Sequence, residues 1–209
     1  MTARELYQII EDWKNATYLK ECALVFDNDI YSKALEAFLY DYKKWFPNDD
    51  CIDRQKLLLT PQLHGILAYR IASLWYRSPG THTHTHTHTH THTLAQQDLI
   101  SNIGRINSLS EIYYSARIGQ GLKINHGIGT VIGARCVIGN DCIIHQNVTL
   151  GDKHSGRPVL GDNCIVYAGA LIIGDIKIGN NCIIGANSVV MDSFPDDSVI
   201  VGCPARKIK

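Results

Sequence analysis

From Ile112 to Val190 a branched aliphatic residue returns every six positions, and few folds can use such a period. Ile112, Ile118 and Ile124 make one run. Ile132, Ile138, Ile144 and Leu150 make a second, and Leu160, Val166, Ile172, Ile178, Ile184 and Val190 a third. The step lengthens by two residues after Ile124 and by four after Leu150. Gly follows the aliphatic at positions 119, 133, 139, 151, 161, 179 and 185, and a mostly small residue stands four positions after it. Neither a helix period nor a strand alternation produces this pattern. It is the hexapeptide signature of a parallel β-helix. Six residues make one short strand and one turn, three such units close a triangular coil, and coils stack at about 4.8 Å. The aliphatics are expected to point inward and stack coil on coil. Gly and Asn are expected at the corners, where φ becomes positive.

The rest of the chain reads differently. Between Asp29 and Phe46 the residues Ile30, Ala34, Leu35, Phe38, Leu39, Tyr42 and Trp45 fall at helical spacing, and Pro47 ends the run. Thr60-Pro61 reads as an N-cap with Pro at N1, opening a helix striped by Leu63, Ile66, Leu67, Ile71, Leu74 and Trp75 that Ser78-Pro79-Gly80 breaks. Thr81 to Thr93 alternates threonine with six histidines. The plain reading is a low-complexity linker; the alternative is a soft-metal tract. A plain (AC)n DNA tract would encode the same repeat, and gain or loss of one unit by slippage would shift the reading frame, which makes phase-variable expression a hypothesis for the gene. A short helix, Leu94 to Asn107, follows. The expected fold class is therefore α+β: an α-helical N-terminal domain over 1–107, containing the 81–93 linker, and a β-helix domain with its tail over 108–209. The helices and the tail would cap the ends of the solenoid.

Composition excludes several classes. The 20 Lys+Arg balance the 20 Asp+Glu, leaving no basic field for nucleic acid or an anionic membrane. No apolar run approaches the ~20 residues of a membrane span. The start, MTARELYQII, has no signal-peptide core, so a soluble cytoplasmic protein is expected. Cys136, Cys142, Cys164 and Cys182 share one register of the repeat and are expected as small inward fillers. There is no CxxC pair, and no metal is required.

A regular solenoid offers little chemistry, so candidates gather at its interruptions. The first holds Asn125-His126-Gly127. The second is the loop from Gly151 to Val159. The segments AYRIASLWY (68–76), EIYYSARIGQG (111–121), INHGIGTVIG (124–133), VTLGD (148–152), IVYAGALIIGDIKIGNNCIIGANSVV (165–190) and VGCPARKI (201–208) resemble the serine O-acetyltransferase family of hexapeptide acyltransferases. That resemblance implies a left-handed coil and transfer of acetyl from acetyl-CoA to a hydroxyl. It makes His126 the general base and Glu111 its orienting carboxylate, where the family usually has Asp. Asn125, His154 and Arg157 fall at acceptor-binding positions. Asn125 replaces a common Asp, and Arg157-Pro158 lacks the histidine of the usual Arg-His-Pro. For acetyl-CoA it implies Gly151, Ala168, Gly185 and Ala186 along the pantetheine arm, with Gly151 N–H as a candidate oxyanion donor. Lys153, Arg206 and Lys207 stand near the phosphates or are solvated surface charges. It also implies a homotrimer, with pairing to a hexamer as a further option.

The chemistry suits these residue types. An imidazole with an ordinary pKa near ~6.5 can take the proton of a weakly acidic alcohol as it attacks a thioester. Two acceptors compete: L-serine, suggested by the helical region and the AYRIA segment, and a sugar hydroxyl of a capsule or lipopolysaccharide. The sugar is suggested by Glu111, the missing loop histidine, the lack of the long tail of many serine enzymes, and the Thr-His tract. A non-catalytic β-helix scaffold is the alternative of another class. A zinc site of the carbonic anhydrase kind would need histidines from His64, His126, His145 and His154, of which His145 is expected as a surface corner residue.

Overall fold

The structure is a computed structural model that describes residues 1–78 and 90–209. Helices α1 (Ala3–Asn15), α2 (Asn28–Lys43), α3 (Arg54–Leu58), α4 (Pro61–Arg77) and α5 (His90–Ser108) come first. α2 stops earlier than its apolar stripe predicts. Pro47 disfavours helical φ/ψ at Phe46, so the chain leaves the helix at the Lys44 cap, whose N–H bonds back to Asp41. Trp45 lies just beyond that cap, and the Lys123 ammonium sits 4.8 Å over its ring. Thr60 does precede Pro61, but its hydroxyl makes no cap; it donates to Lys56 O at 2.7 Å. α5 starts at His90, so the last four residues of the Thr-His tract are helical. The remainder of the tract lies outside the described residues.

Beyond Ser108 the chain winds as a parallel β-helix with three faces. Face A stacks β1 (Glu111–Ile112), β4 (Val131–Ile132), β7 (Thr149–Gly151), β10 (Leu171–Ile173) and β13 (Val189–Val190). Face B stacks β2 (Arg117–Ile118), β5 (Val137–Ile138), β8 (Val159–Leu160) and β11 (Lys177–Ile178). Face C stacks β3 (Lys123–Ile124), β6 (Ile143–Ile144), β9 (Ile165–Val166), β12 (Ile183–Ile184) and β14 (Val199–Gly202), and β15 (Ala205–Lys207) folds back antiparallel on β14. The inward position of each strand pairs aliphatic with aliphatic: Ile112, Ile132, Leu150, Ile172 and Val190 form one buried column, as the six-residue period requires. Cys136, Cys142, Cys164 and Cys182 are buried beside these columns, as expected of core fillers.

The corners explain the glycines and asparagines. Asn147, Asn163, Asn181 and Asn187 take φ of 55–57°, where a short polar side chain is tolerated. At the edge between faces B and C, the side chain of each coil caps the coil before it. Asn140 accepts from Gln120 N, Asp162 from Asn140 N, Asn180 from Asp162 N and Asp196 from Asn180 N. Gly161 lies under this ladder; a Cβ there would come within 2.8 Å of Asn180 N and of the Gly179 carbonyl carbon.

A solenoid leaves an unpaired rim of N–H and C=O groups at its first coil. Side chains from the helices satisfy that rim. Tyr69 donates to Ala116 O and accepts from Ile118 N. Arg70 donates to Ile118 O at 2.9 Å and Gly119 O at 2.6 Å, and forks onto Asp41 at 2.8 and 2.9 Å. Asp41 in turn accepts from Leu122 N at 2.8 Å. The Arg70 side chain is 8% exposed and Asp41 0%, so this pair lies in low dielectric. Removing one partner from such a pair typically costs about 3–5 kcal/mol. Arg70→Met should lower unfolding stability by about that much, measured by urea unfolding; a loss near zero would show that the rim does not depend on it.

Candidate active site

The three edges of the prism divide the functional residues. The edge joining face C to face A carries the two-residue interruption that follows β3. Asn125 continues the ladder through its N–H to Ile144 O. His126 then turns to φ 64° and Gly127 to 71°, and the extra residues close as a tight bulge. Its bonds are Gly127 N to Asn125 O (2.8 Å), Ile128 N to His126 O (2.9 Å) and Thr130 N to Gly127 O (3.0 Å). Because β3 has already spent its inward position on Ile124, the bulge throws the His126 ring outward, and it is exposed. Gly129 N donates to Leu109 O at 3.0 Å, which ties the bulge to the end of α5.

Directly above, His145 and Tyr167 occupy the same register, through His145 N to Val166 O and Tyr167 N to Ile184 O. Asn125 Nδ2 donates to His145 Nε2 at 3.4 Å, and the imidazole stacks on the Tyr167 ring with centroids 5.1 Å apart. His145 is therefore half-buried and held on two sides, whereas the sequence suggested a surface corner residue. Burial pushes its pKa below the ordinary histidine value, and the neighbouring His126 adds to the effect. Neither His145 nor Tyr167 stood out in the sequence. The signal that finds them is the coil offset, which aligns positions 125, 145 and 167 only once the two-residue and four-residue insertions are subtracted. Farther up the same edge lie Ala168, Gly185 and Ala186, small residues that leave the backbone approachable. A Cβ on Gly185 would fall 2.8 Å from Val201 Cγ1. Arg206 and Lys207, on β15, are exposed at the top of face C; Arg206 pairs with Asp192 at 3.6 Å.

Glu111 opens β1, the face A strand of the first coil, and is half-buried beside Val131. Its ion pair among the described residues is with Arg105 Nη1 at 3.8 Å, not with His126.

The edge joining face A to face B carries the other interruption, the loop between β7 and β8. Lys153 and Gly156 pair as a miniature hairpin, with His154 (φ 51°) and Ser155 (φ 69°) at its tip. Positive φ at both tip residues is what a two-residue type I′ turn requires. Gly156 packs so closely on Asp175 that a Cβ would sit 2.6 Å from Asp175 N. Arg157 pins the loop to the coil below: Nε donates to Ala134 O at 2.8 Å, and Nη1 reaches Gly156 O and Asp152 Oδ2, each at 3.1 Å. Gly151 accepts from Gly174 N at 3.1 Å at the loop's base. Lys153 and His154 border an open cavity of about 530 Å³ with Ile173, Asp175 and Met191.

Within one chain the structure thus groups His126, Asn125, Ala168, Gly185 and Ala186 on one edge, and Gly151, Lys153, His154 and Arg157 on another. The width of face A lies between them, about 20 Å for the six residues of one side at full extension.

Two hexapeptide families match this chain: "Bacterial transferase hexapeptide (six repeats)" over residues 157–191 and "Hexapeptide repeat of succinyl-transferase" over residues 127–153. The serine acetyltransferase of Synechococcus elongatus is 44% identical over 114 residues, 53% of this chain and 47% of that protein. The serine acetyltransferase of Staphylococcus aureus is 47% identical over 114 residues, 53% of this chain and 54% of that protein. The matched stretch spans about half the length of these relatives. A crystal structure of Neisseria gonorrhoeae serine acetyltransferase in complex with serine superposes with a TM-score of 0.71 at 28% identity, covering 98% of this chain and 84% of that one. The fold shared with these structures is the left-handed parallel β-helix behind N-terminal helices.

Arg157 spends its donors on its own loop and the coil below. Arg157→Ala should accelerate amide hydrogen exchange across residues 153–156 at least tenfold while the β-helix unfolds with unchanged cooperativity. Unchanged exchange would show that the hairpin holds itself.

Proposed function

We propose, from the premise that this chain belongs to the serine acetyltransferase family of hexapeptide-repeat proteins, that it transfers the acetyl group of acetyl-CoA to the hydroxyl of a small acceptor, L-serine. The observation that carries the reading is the exposed imidazole of His126, set outward by the first interruption of the coil beside Asn125.

The chemistry follows from that placement. A neutral His126 ring accepts the acceptor's hydroxyl proton as the oxygen attacks the thioester carbonyl. The carbonyl π electrons move to oxygen, giving a tetrahedral oxyanion that a backbone N–H, Gly151 being the candidate, stabilises. Collapse of the intermediate expels the CoA thiolate, which takes the proton from the His126 imidazolium. No covalent acyl-enzyme forms, so the buried cysteines have no part in it. Glu111 is assigned as the carboxylate that orients His126, exchanging its Arg105 partner for the ring when the site is occupied. The edge rising from His126 past Ala168, Gly185 and Ala186 to Arg206 and Lys207 suits a thioester on a long arm: small residues beside the arm and cations near its phosphates. Gly151, Lys153, His154 and Arg157 complete the site only if another copy supplies them, because they occupy a different edge of their own chain. Cyclic packing of three prisms, with the loop edge of one against the His126 edge of the next, meets that requirement and supports a homotrimer. Pairing of trimers through the helices is a further step in the same proposal. The reaction needs acetyl-CoA and no metal, and it is assigned to the cytoplasm.

No helix among the described residues is long and apolar enough to cross a membrane. The test is release of CoA thiol from acetyl-CoA with a panel of acceptors. Turnover is expected with L-serine; turnover with sugars and none with serine would overturn the acceptor. His126→Ala should reduce turnover about 10²–10⁴-fold with the oligomer intact. Full activity in that variant would remove the base.

A further inference from the structure

The chemistry above does not use His145, yet it is the second imidazole at the edge that carries His126, and the structure restrains it closely. Thr130 Oγ1 donates to His145 O at 2.8 Å, and His145 N donates to Val166 O at 2.9 Å, which fixes its backbone between two coils. Its ring lies on Tyr167 with an interplanar angle of 27°. With the Asn125 amide placed Nδ2 toward the ring, Nδ2 donates to His145 Nε2 at 3.4 Å, and that assignment puts the ring proton on Nδ1. A ring fixed in position and tautomer in turn fixes the carboxamide. With Nδ2 committed to His145, Asn125 Oδ1 is left as an acceptor one residue from His126.

We propose that His145 is a positioning residue on the acceptor side of the site: accepting from Asn125 Nδ2 while bearing on Tyr167, it sets the direction in which Asn125 presents Oδ1 to a hydrogen-bond donor of the acceptor molecule. This rests on the acetyl-transfer reading. The acceptor chemistry it fits is a molecule with an N–H or O–H donor near the reacting hydroxyl, such as the ammonium group of an amino acid. The proposal assigns this contact to the acceptor, so its loss is expected in the kinetic parameters of the acceptor and not in the KM for acetyl-CoA.

The test is a double-mutant cycle in the full chain, with acetyl-CoA and L-serine. His145→Phe keeps a ring to stack on Tyr167 but removes the acceptor for Asn125; Asn125→Ala removes the donor. Each is expected to lower kcat/KM for the acceptor about tenfold with the KM for acetyl-CoA unchanged. The double variant should be no worse than either single one, because the two residues act as a unit. His145→Gln, which offers a side-chain oxygen to Nδ2, should recover most of the loss. Wild-type kcat/KM in His145→Phe, a roughly hundredfold loss in the double variant, or an equal rise in the KM for acetyl-CoA would overturn the assignment. A second readout is independent of turnover. ¹⁵N NMR of labelled imidazoles should find His145 as the Nδ1–H tautomer, and Asn125→Ala should release it to a mixture. A mixed tautomer in the unaltered protein defeats the His145 assignment even if His126→Ala abolishes transfer. A fixed tautomer in a protein with no acetyl transfer to any acceptor defeats the acetyl-transfer reading, and the acceptor role of His145 with it.

Discussion

The buried fork of Arg70 on Asp41 is the interaction on which the rest of the architecture depends. Parallel coils pair with their neighbours above and below, so the first coil would present bare carbonyls and amides to water or to another chain. Arg70 and Tyr69 from α4 and Asp41 from α2 bond to Ala116, Ile118, Gly119 and Leu122, and close that rim with side chains instead of another strand. A guanidinium serves this purpose because its planar donors can bridge a carboxylate and two carbonyls at once. The helices are thus the floor of the solenoid, and burying the charges is tolerable because their polar atoms are bonded on several sides.

Above that floor, stacking decides where function can sit. Each inward aliphatic rests on its counterpart, so no position in the repeat can move without disturbing those stacked above and below it. Extra residues can enter only at corners. The two residues inserted after Ile124 and the four after Leu150 therefore become outward structures on two edges, a bulge carrying His126 and a hairpin carrying His154. Their separation across face A follows from the order of the faces, not from any local preference. It leaves the His126 bulge and the His154 hairpin on different edges of one chain.

Much of this was legible in the sequence, and the failures are instructive. The period of six, the inward cysteines, the glycines after the aliphatics and the outward His126 all follow from one repeating steric rule. The helices were legible as stripes, but their ends were not. Lys44 ends α2 because of a proline three residues on, and the Thr60 hydroxyl prefers the Lys56 carbonyl to a capping bond. Arg70 drew notice only as part of a motif; its bonds to Asp41 and the first coil join residues 29 to 49 positions apart, a distance no spacing rule spans. His145 was misjudged for the same reason. Its significance comes from Asn125 and Tyr167, each a full coil away.

The sequence by itself determined that the chain winds as a triangular stack, which residues face inward and where the winding is interrupted, because those are consequences of side-chain volume repeating along the chain. Only the tertiary structure decided which edge each interruption occupies, that His145 stands over Asn125, that Glu111 rests against Arg105, and that the loop bearing His154 and Arg157 turns away from His126 in its own chain. The physical reason is that a coil brings together residues about twenty positions apart through backbone hydrogen bonds, which are the same for every residue type and leave no mark on the sequence.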